Sequence, residues 1–367
     1  MFAAVCWTPF QIMNVLNFKY NFAQGEEADL YVCNKFYGAE KVAQRLDKCG
    51  EFAHVYLVDN IDYDTVTGLK KQAAIVSGLF FPKKTITRYV RGEFKIAEKK
   101  YDYTVSSGYL NFNVIFTTYF RKRNPKLRCV FLDDGIESYL DKNTEDTYSS
   151  VYRMVSRLTG IGGAAMRVEK LYVYLPELVA AKEKYREVCK LPPIKSPELK
   201  ARMKDIFQYE VGSYGQNYRV IYFDQLSTGD FHNENLIRLQ EKILGIISAR
   251  WDSSQWMIKM HPRAVKDLYP DQSHKLVSSI PWELFCDDLV DENTVLIAVS
   301  STACITPKMI YGKEPKVFLL EKIFINDRER KVCDFFERVK ETYSSEKSFF
   351  IPESVDEFQD MVMKLEV

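Results

Sequence analysis

The sequence predicts an α/β protein built from two consecutive Rossmann-like halves. Three observations lead there. Short apolar runs rich in β-branched and aromatic residues alternate with longer helical patterns, the signature of parallel strands joined by helices. The length, 367 residues, exceeds the roughly 250 to 300 at which a single core stops growing. The stretch Leu191-Pro192-Pro193-Ile194-Lys195-Ser196-Pro197 puts three prolines in seven residues, an interdomain composition. Two such halves imply a cleft between them, a favoured place for a ligand.

Taken in order, strands are expected at residues 2–7, 28–33, 55–59, 103–106 and 129–132, with helices at 10–20 and 39–49. Thr8-Pro9 makes the turn into the first helix. Residues 171–175 supply a last strand stopped by Pro176, and 177–190 read as a charged helix. A second series has strands at 219–223, 256–260, 295–299 and 316–320 and helices at 235–250, 305–311 and 327–343. The expected organisation is a first domain at 1–176, a linker at 177–214 and a second domain at 215–350. A final helix within 351–367 is expected to pack back on the first domain.

Composition narrows the class. With 51 Lys and Arg against 50 Asp and Glu, the formal charge is +1, which argues against a dedicated nucleic-acid binder. The 46% hydrophobic content excludes disorder of the whole chain. Aromatics are abundant, 24 Phe and 23 Tyr, and composition does not divide them between core, interface and stacking surface. The eight cysteines are scattered singly with no C-x-x-C, and read as buried free thiols in a reducing compartment. The apolar start lacks the basic flank and cleavage site of a signal peptide, and no run reaches the roughly 18 apolar residues of a membrane span. A cytoplasmic location is expected, with any anchor peripheral or outside this chain. The basic residues Arg121, Lys122, Arg123, Lys126 and Arg128, with Lys83, Lys84, Lys99 and Lys100, suggest contact with an anionic membrane surface or simply a solvated face.

Three strand ends carry chemistry. Asp133-Asp134-Gly135 follows the run Arg128-Cys129-Val130-Phe131-Leu132: the glycine permits a sharp turn, and a carboxylate there can serve as a general base. An ordinary Asp-Asp-Gly turn is the alternative. His261-Pro262 ends the run Met257-Ile258-Lys259-Met260, where a histidine can donate a proton near neutral pH and, with Lys259 and Arg263, face a phosphate. Otherwise it is a structural histidine, the role assigned to His54, His232 and His274. Ser300-Ser301-Thr302 ends a third strand and opens an apolar helix closed by Gly312, so its hydroxyls and amide donors suit a phosphate, or simply cap the helix. Between the last two, Pro281-Trp282-Glu283 pairs a carboxylate with an aromatic ring, suited to a base with an exocyclic amine.

The order of these pieces, from Cys6-Trp7-Thr8-Pro9-Phe10-Gln11 through Asp133-Asp134-Gly135 and His261-Pro262 to Ser300-Ser301 and Gly312-Lys313-Glu314-Pro315, resembles the bacterial sialyltransferases. The Thr-Pro-Phe-Gln start is similar to glycosyltransferase family 52, which includes lipooligosaccharide and capsule α-2,3-sialyltransferases. The resemblance implies a GT-B architecture, CMP-sialic acid as donor, a galactose-terminated glycan as acceptor, and inverting transfer with no metal or other cofactor. It makes His261 the acid that assists departure of CMP. Ser300 and Ser301 fall on the phosphate, Glu283 on cytidine, Gln225 on the donor side, and Pro262 joins the CMP-binding residues. Thr8, Pro9, Asp133 and Gly135 join the substrate-binding residues. The base is Asp230, by the family 52 pattern, or Asp134, by the acidic-pair pattern, with Asp224 behind Asp230. The family also implies a homodimer. Other GT-B transferases, such as a glucosyltransferase or polysialyltransferase, and a noncatalytic sugar-nucleotide binder of capsule assembly remain alternatives.

Overall fold

The structure is a computed structural model. It describes residues 1–59, 73, 76–91, 99–108, 111–140, 154, 156–158, 160, 168–210, 218–224, 234–260, 275–276, 280–324 and 330–366. The chain divides into two compact units, Met1–Phe207 and Gln208–Val367.

The first unit is a seven-stranded parallel sheet in the order β3-β2-β1-β4-β5-β6-β7, comprising β1 (Phe2–Cys6), β2 (Ala28–Cys33), β3 (His54–Val58), β4 (Tyr103–Ser106), β5 (Arg128–Leu132), β6 (Val168–Val173) and β7 (Tyr185–Lys190). Helices α1 (Pro9–Phe22), α2 (Ala39–Lys48), α3 (Pro82–Tyr89), α4 (Asn111–Arg123) and α5 (Pro197–Phe207) join or cover the strands. β1, β2 and β4 are buried along their whole length, which is why they read as unbroken apolar runs rather than alternating ones. On one face Tyr31, Phe116, Phe120 and Tyr101 pack together, and Tyr101 hydroxyl donates to the buried Asp29 at 2.5 Å, with Lys99 Nζ 2.9 Å from the same carboxylate. A charge buried in a sheet is tolerated because it is paired and hydrogen-bonded.

Two expectations are corrected here. Residues 185–190 are not helix but the edge strand β7, whose charges read as a helical face because an edge strand has one neighbour and one wet side. Lys170 Nζ pairs with Glu187 across the β6–β7 ladder at 3.0 Å. The proline-rich stretch is not a free hinge either: Leu191 and Ile194 are buried, and Asn17 Nδ2 of α1 donates to the Pro192 carbonyl at 2.8 Å. Helix α5 then buries Leu199, Met203 and Ile206, and Arg45 of α2 donates to the Ile206 carbonyl at 2.8 Å. Residues 177–207 thus complete the first unit instead of linking it to the second.

The second unit is a six-stranded parallel sheet in the order β10-β9-β8-β11-β12-β13, formed by β8 (Val220–Phe223), β9 (Trp256–Lys259), β10 (Lys275–Leu276), β11 (Val295–Ala298), β12 (Lys316–Leu319) and β13 (Phe349–Phe350). Its helices are α6 (Glu234–Arg250), α7 (Trp282–Leu289), α8 (Glu321–Phe324), α9 (Arg330–Lys340) and α10 (Val355–Met363). The C-terminal helix α10 packs on this unit: Phe358 is fully buried with its ring edge-on to Phe318 at 5.5 Å. Burial of such a ring contributes about 1.5–3 kcal/mol, so the apolar stripe of α10 is accounted for locally. The expected helix at 305–311 is a 3₁₀ turn, Thr302–Cys304, followed by a π-type turn, Pro307–Tyr311, closed by Gly312 at φ 73°. None of the eight cysteines forms a disulfide; Cys49 and Cys189 are half-buried and the rest buried. No helix among the described residues is long and apolar enough to cross a membrane.

Candidate functional site

Both sheets reverse strand order once, between β1 and β4 and between β8 and β11. In open parallel sheets ligands bind beyond the carboxyl ends of strands at such reversals. The motif residues within the described chain lie there.

In the first unit the edge is built from the β1–α1 turn and the segment after β5. Thr8 caps α1, its Oγ1 accepting from Gln11 N at 3.2 Å, and Pro9 occupies the first turn, where its missing N–H costs nothing. The cap points Gln11 back over the turn: Gln11 Oε1 accepts from Trp7 N at 2.7 Å and its Nε2 donates to Asp134 Oδ1 at 2.9 Å. Trp7 Nε1 donates to Asn113 Oδ1 at 2.7 Å, tying α4 to the same edge.

The two aspartates have separate jobs. Asp133 is fully buried and saturated: it accepts from Gly135 N at 2.8 Å, from Tyr174 N at 3.2 Å and from the Tyr139 hydroxyl in a very short bond. Its carbonyl takes Asn14 Nδ2 at 2.8 Å, and Asn14 Oδ1 accepts from Tyr174 hydroxyl at 2.7 Å. Asp133 therefore fixes the loop. Burial pushes its carboxyl up to about 7 against the pull of those donors. Gly135, at φ 69°, makes the turn a side chain would resist. Asp134 is partly exposed, held by Gln11 through Oδ1, and its carboxyl is pushed up to about 6 by burial, with Gln11 opposing. A partly exposed carboxylate whose pKa is raised to about 6 and that is held in one orientation can accept a proton from a bound hydroxyl.

In the second unit, Phe223 at the end of β8 packs edge-on against Trp282 with ring centres 4.8 Å apart, and Trp282 Nε1 donates to the Ala303 carbonyl at 2.9 Å. These contacts bring the start of α7, which carries Glu283, beside the segment after β11, which carries Ser300 and Ser301. Tyr311 hydroxyl donates to the Glu283 carbonyl at 2.8 Å. Lys259, buried at the end of β9, donates to the Met260 carbonyl at 3.0 Å. Burial lowers the Lys259 pKa while the charges of Glu283 and Asp224 raise it, and burial raises that of Glu283. Ser301 Oγ accepts from Ala303 N at 3.3 Å, as a cap. That turn is too short for the helix dipole expected behind a phosphate, so the two serines contribute hydroxyls alone.

Thr8, Pro9, Asp133, Asp134 and Gly135 thus share one edge, and Glu283, Ser300 and Ser301 share the other. His261, Pro262, Gln225 and Asp230 lie outside the described residues. Gln11, Tyr139, Asn14 and Tyr174 were not singled out as site residues, although a run of amides at Gln11, Asn14 and Asn17 on a buried helix is a signal that polar partners await them. Among the described residues, no group of three or more His, Cys, Asp or Glu is placed to hold a metal ion.

No protein-family model matches the chain, and no curated protein sequence matches it. Solved structures do. The glycotransferase of kitacinnamycin is similar at 10% identity with a TM-score of 0.53, over 99% of this chain and 90% of that one. The sialyltransferase from Photobacterium damselae, residues 113–497 corresponding to the GT-B domain, is similar at 13% identity with a TM-score of 0.50, over 96% of this chain and all (100%) of that one. The fold is GT-B. A third similar structure, Arabidopsis thaliana UGT89C1 complexed with UDP, has 8% identity and a TM-score of 0.51, over 99% of this chain and 89% of that one. At these identities the likeness defines the GT-B fold alone.

Proposed function

We propose that this GT-B chain is an inverting, metal-independent glycosyltransferase that moves sialic acid from CMP-sialic acid to a terminal galactose of a lipooligosaccharide or capsular glycan, in α-2,3 linkage. The observation that carries the reading is Asp134: a carboxylate beyond the carboxyl end of β5, oriented by Gln11 in the first turn of α1 and pushed up to about 6 by burial. The donor is chosen by the motif order, in which His261-Pro262 and Ser300-Ser301 follow the acidic pair.

In this reading Asp134 takes the proton of the acceptor hydroxyl as its oxygen bonds to the anomeric carbon of sialic acid. The bond from that carbon to the phosphate oxygen breaks with its electron pair, and CMP leaves from the opposite face. His261 relieves the charge on the departing phosphate, helped by the hydroxyls of Ser300 and Ser301. Glu283 and Gln225 serve the cytidine side. The flanking of an oxocarbenium-like centre by a base and an acid follows the logic of glycoside cleavage. Asp134 is taken as the base on its orienting donor and raised pKa, and Asp230, which lies outside the described residues, is the alternative that comparing Asp134→Asn with Asp230→Asn separates.

The test is incubation with CMP-sialic acid and lactose in EDTA, following CMP release and sialyllactose. Turnover with both products is expected. Turnover with UDP-glucose in place of CMP-sialic acid would overturn the donor assignment and leave a GT-B transferase of another specificity, and no turnover with any sugar nucleotide would favour a noncatalytic binder.

A further inference from the structure

The first unit carries a feature that the proposed reaction does not use. Just ahead of α3, Phe80 and Phe81 stand side by side at 46% and 64% of full exposure. Adjacent exposed rings are unusual on a surface that meets only water. With Pro82 and Tyr119 they line a groove of about 980 Å³, and no Asp or Glu contributes to its lining. Lys83, Lys84 and Arg88 of α3 and Lys122 and Arg123 of α4 line the same groove. Lys122 Nζ donates to the Phe80 carbonyl at 3.1 Å and reaches the Leu79 carbonyl at 3.5 Å, fixing one cation against the backbone that carries the aromatic pair.

Two exposed rings and five cations lining one groove are complementary to acyl chains beneath anionic headgroups. Aromatic rings settle at the headgroup level and lysine and arginine hold phosphates above them. A nucleic acid could use the same cations, but the formal charge of +1 argues against a dedicated nucleic-acid binder, and the lining holds no Asn or Gln to read bases beside its arginines and lysines. The groove is also set apart from the candidate site. Asn113, bonded to Trp7, and Lys122 lie nine residues apart on α4, about 14 Å at 1.5 Å per residue.

We propose that this groove docks the protein on an anionic phospholipid surface, with Phe80 and Phe81 entering the interface and the lysines and arginines of the lining meeting the phosphates. The inference is independent of the transferred sugar. Co-sedimentation of the intact protein with phosphatidylglycerol–phosphatidylcholine vesicles and with phosphatidylcholine vesicles, at low and high salt, tests it. Salt-sensitive binding to the anionic vesicles alone is expected. The exposed-residue variants Phe80→Ser with Phe81→Ser, and Lys83→Glu with Arg88→Glu, should each weaken vesicle binding by about tenfold or more. Both should keep wild-type circular dichroism and wild-type transfer to soluble lactose. Three results would overturn the proposal: no vesicle binding at low salt, vesicle binding unchanged by loss of the two rings, or equally tight binding of a random oligonucleotide. Activity on lactose without vesicle binding would leave the transferase reading standing and remove this one.

Discussion

The two sheets share a strand-order reversal but equip it differently. In the first unit the edge is a closed hydrogen-bond network: Asp133 is saturated by Gly135, Tyr139 and Tyr174, and Gln11 spends one end on Trp7 and the other on Asp134. In the second unit the edge is held by packing, with Phe223 on Trp282 and one indole bond to Ala303, and its charged groups are a buried lysine flanked by carboxylates. A network that leaves one carboxylate partly exposed suits a step that needs a single oriented acceptor of a proton. Hydroxyls and a cation on an aromatic scaffold suit holding an anionic group. Topology therefore supplies the place, and the loop residues supply the task.

The sharpest way to break this contrast is Asp134→Asn, which keeps the bond geometry available to Gln11 and removes the basic oxygen. Loss of about 10²- to 10⁴-fold in kcat/KM is expected, with CMP affinity unchanged by calorimetry. In the wild type the rate should fall as pH drops through about 6, because the base is protonated below its pKa. Equal activity in Asp134→Asn, with the loss appearing in Asp230→Asn instead, would move the base into the second unit.

Asp133→Asn attacks the network itself. The amide loses an acceptor and turns its NH₂ toward Tyr174 N–H or the Tyr139 hydroxyl, which should cost about 1–3 kcal/mol in urea unfolding. The pH dependence has a definite sign. The folded carboxyl titrates at about 7 against an ordinary 3.8, so between those values the native state binds a proton that the unfolded state has lost. Its contribution is therefore fully present below about 4 and is lost as pH rises through about 7. The stability gap between wild type and variant should be wider at pH 5 than at pH 8, and a gap that widens with pH would contradict the assignment.

Gln11→Met separates orientation from stability. Without the donor on Oδ1, the charged form of Asp134 loses support and its pKa rises further. The acid limb of the rate profile should move to higher pH by up to about one unit, the equivalent of one hydrogen bond. Trp7 N loses its acceptor as well, so the melting temperature should fall. A lower melting temperature with an unmoved limb would make Gln11 a structural residue only.

These contrasts also show what was readable beforehand. The strand ends at Leu132, Phe223, Lys259 and Ala298 were legible because a strand buried on both faces is a run of apolar residues, and the polar residues that follow must lie beyond its end. β7 was misread because Tyr-Arg-Glu-Val-Cys-Lys carries the charges of a wet edge, which at this length imitate a helical surface. The Asp133 network was hidden because Asn14, Tyr139 and Tyr174 meet only after the sheet assembles, with Asn14 and Tyr174 160 residues apart. The turn after Ser301 looked helical from its apolar spacing, and the structure has there a 3₁₀ turn followed by a π-type turn that Pro307 opens.

The smallest expected effect concerns Lys313, part of the Gly312-Lys313-Glu314-Pro315 stretch that belongs to the motif series. Its Nζ donates to the carbonyls of Asp287 at 2.6 Å and Val290 at 2.9 Å and reaches that of Cys286 at 3.4 Å. Those are the last carbonyls of α7, which lack partners within the helix, and a cation at the negative end of the dipole stabilises them further. Its neighbour Glu314 is engaged by Lys308 and by Ser344 N at 2.8 Å. Lys313 therefore holds the end of the helix whose beginning carries Glu283, and acts on a donor only through that helix. Lys313→Met keeps the stem and removes the charge, and should cost about 0.3–1 kcal/mol, or about 1–4 °C in melting temperature. KM for CMP-sialic acid should change less than about twofold, since the start of α7 is held separately by Trp282 and Tyr311. A large rise in KM at unchanged melting temperature would place Lys313 on the donor and make the second edge as charged a site as the first.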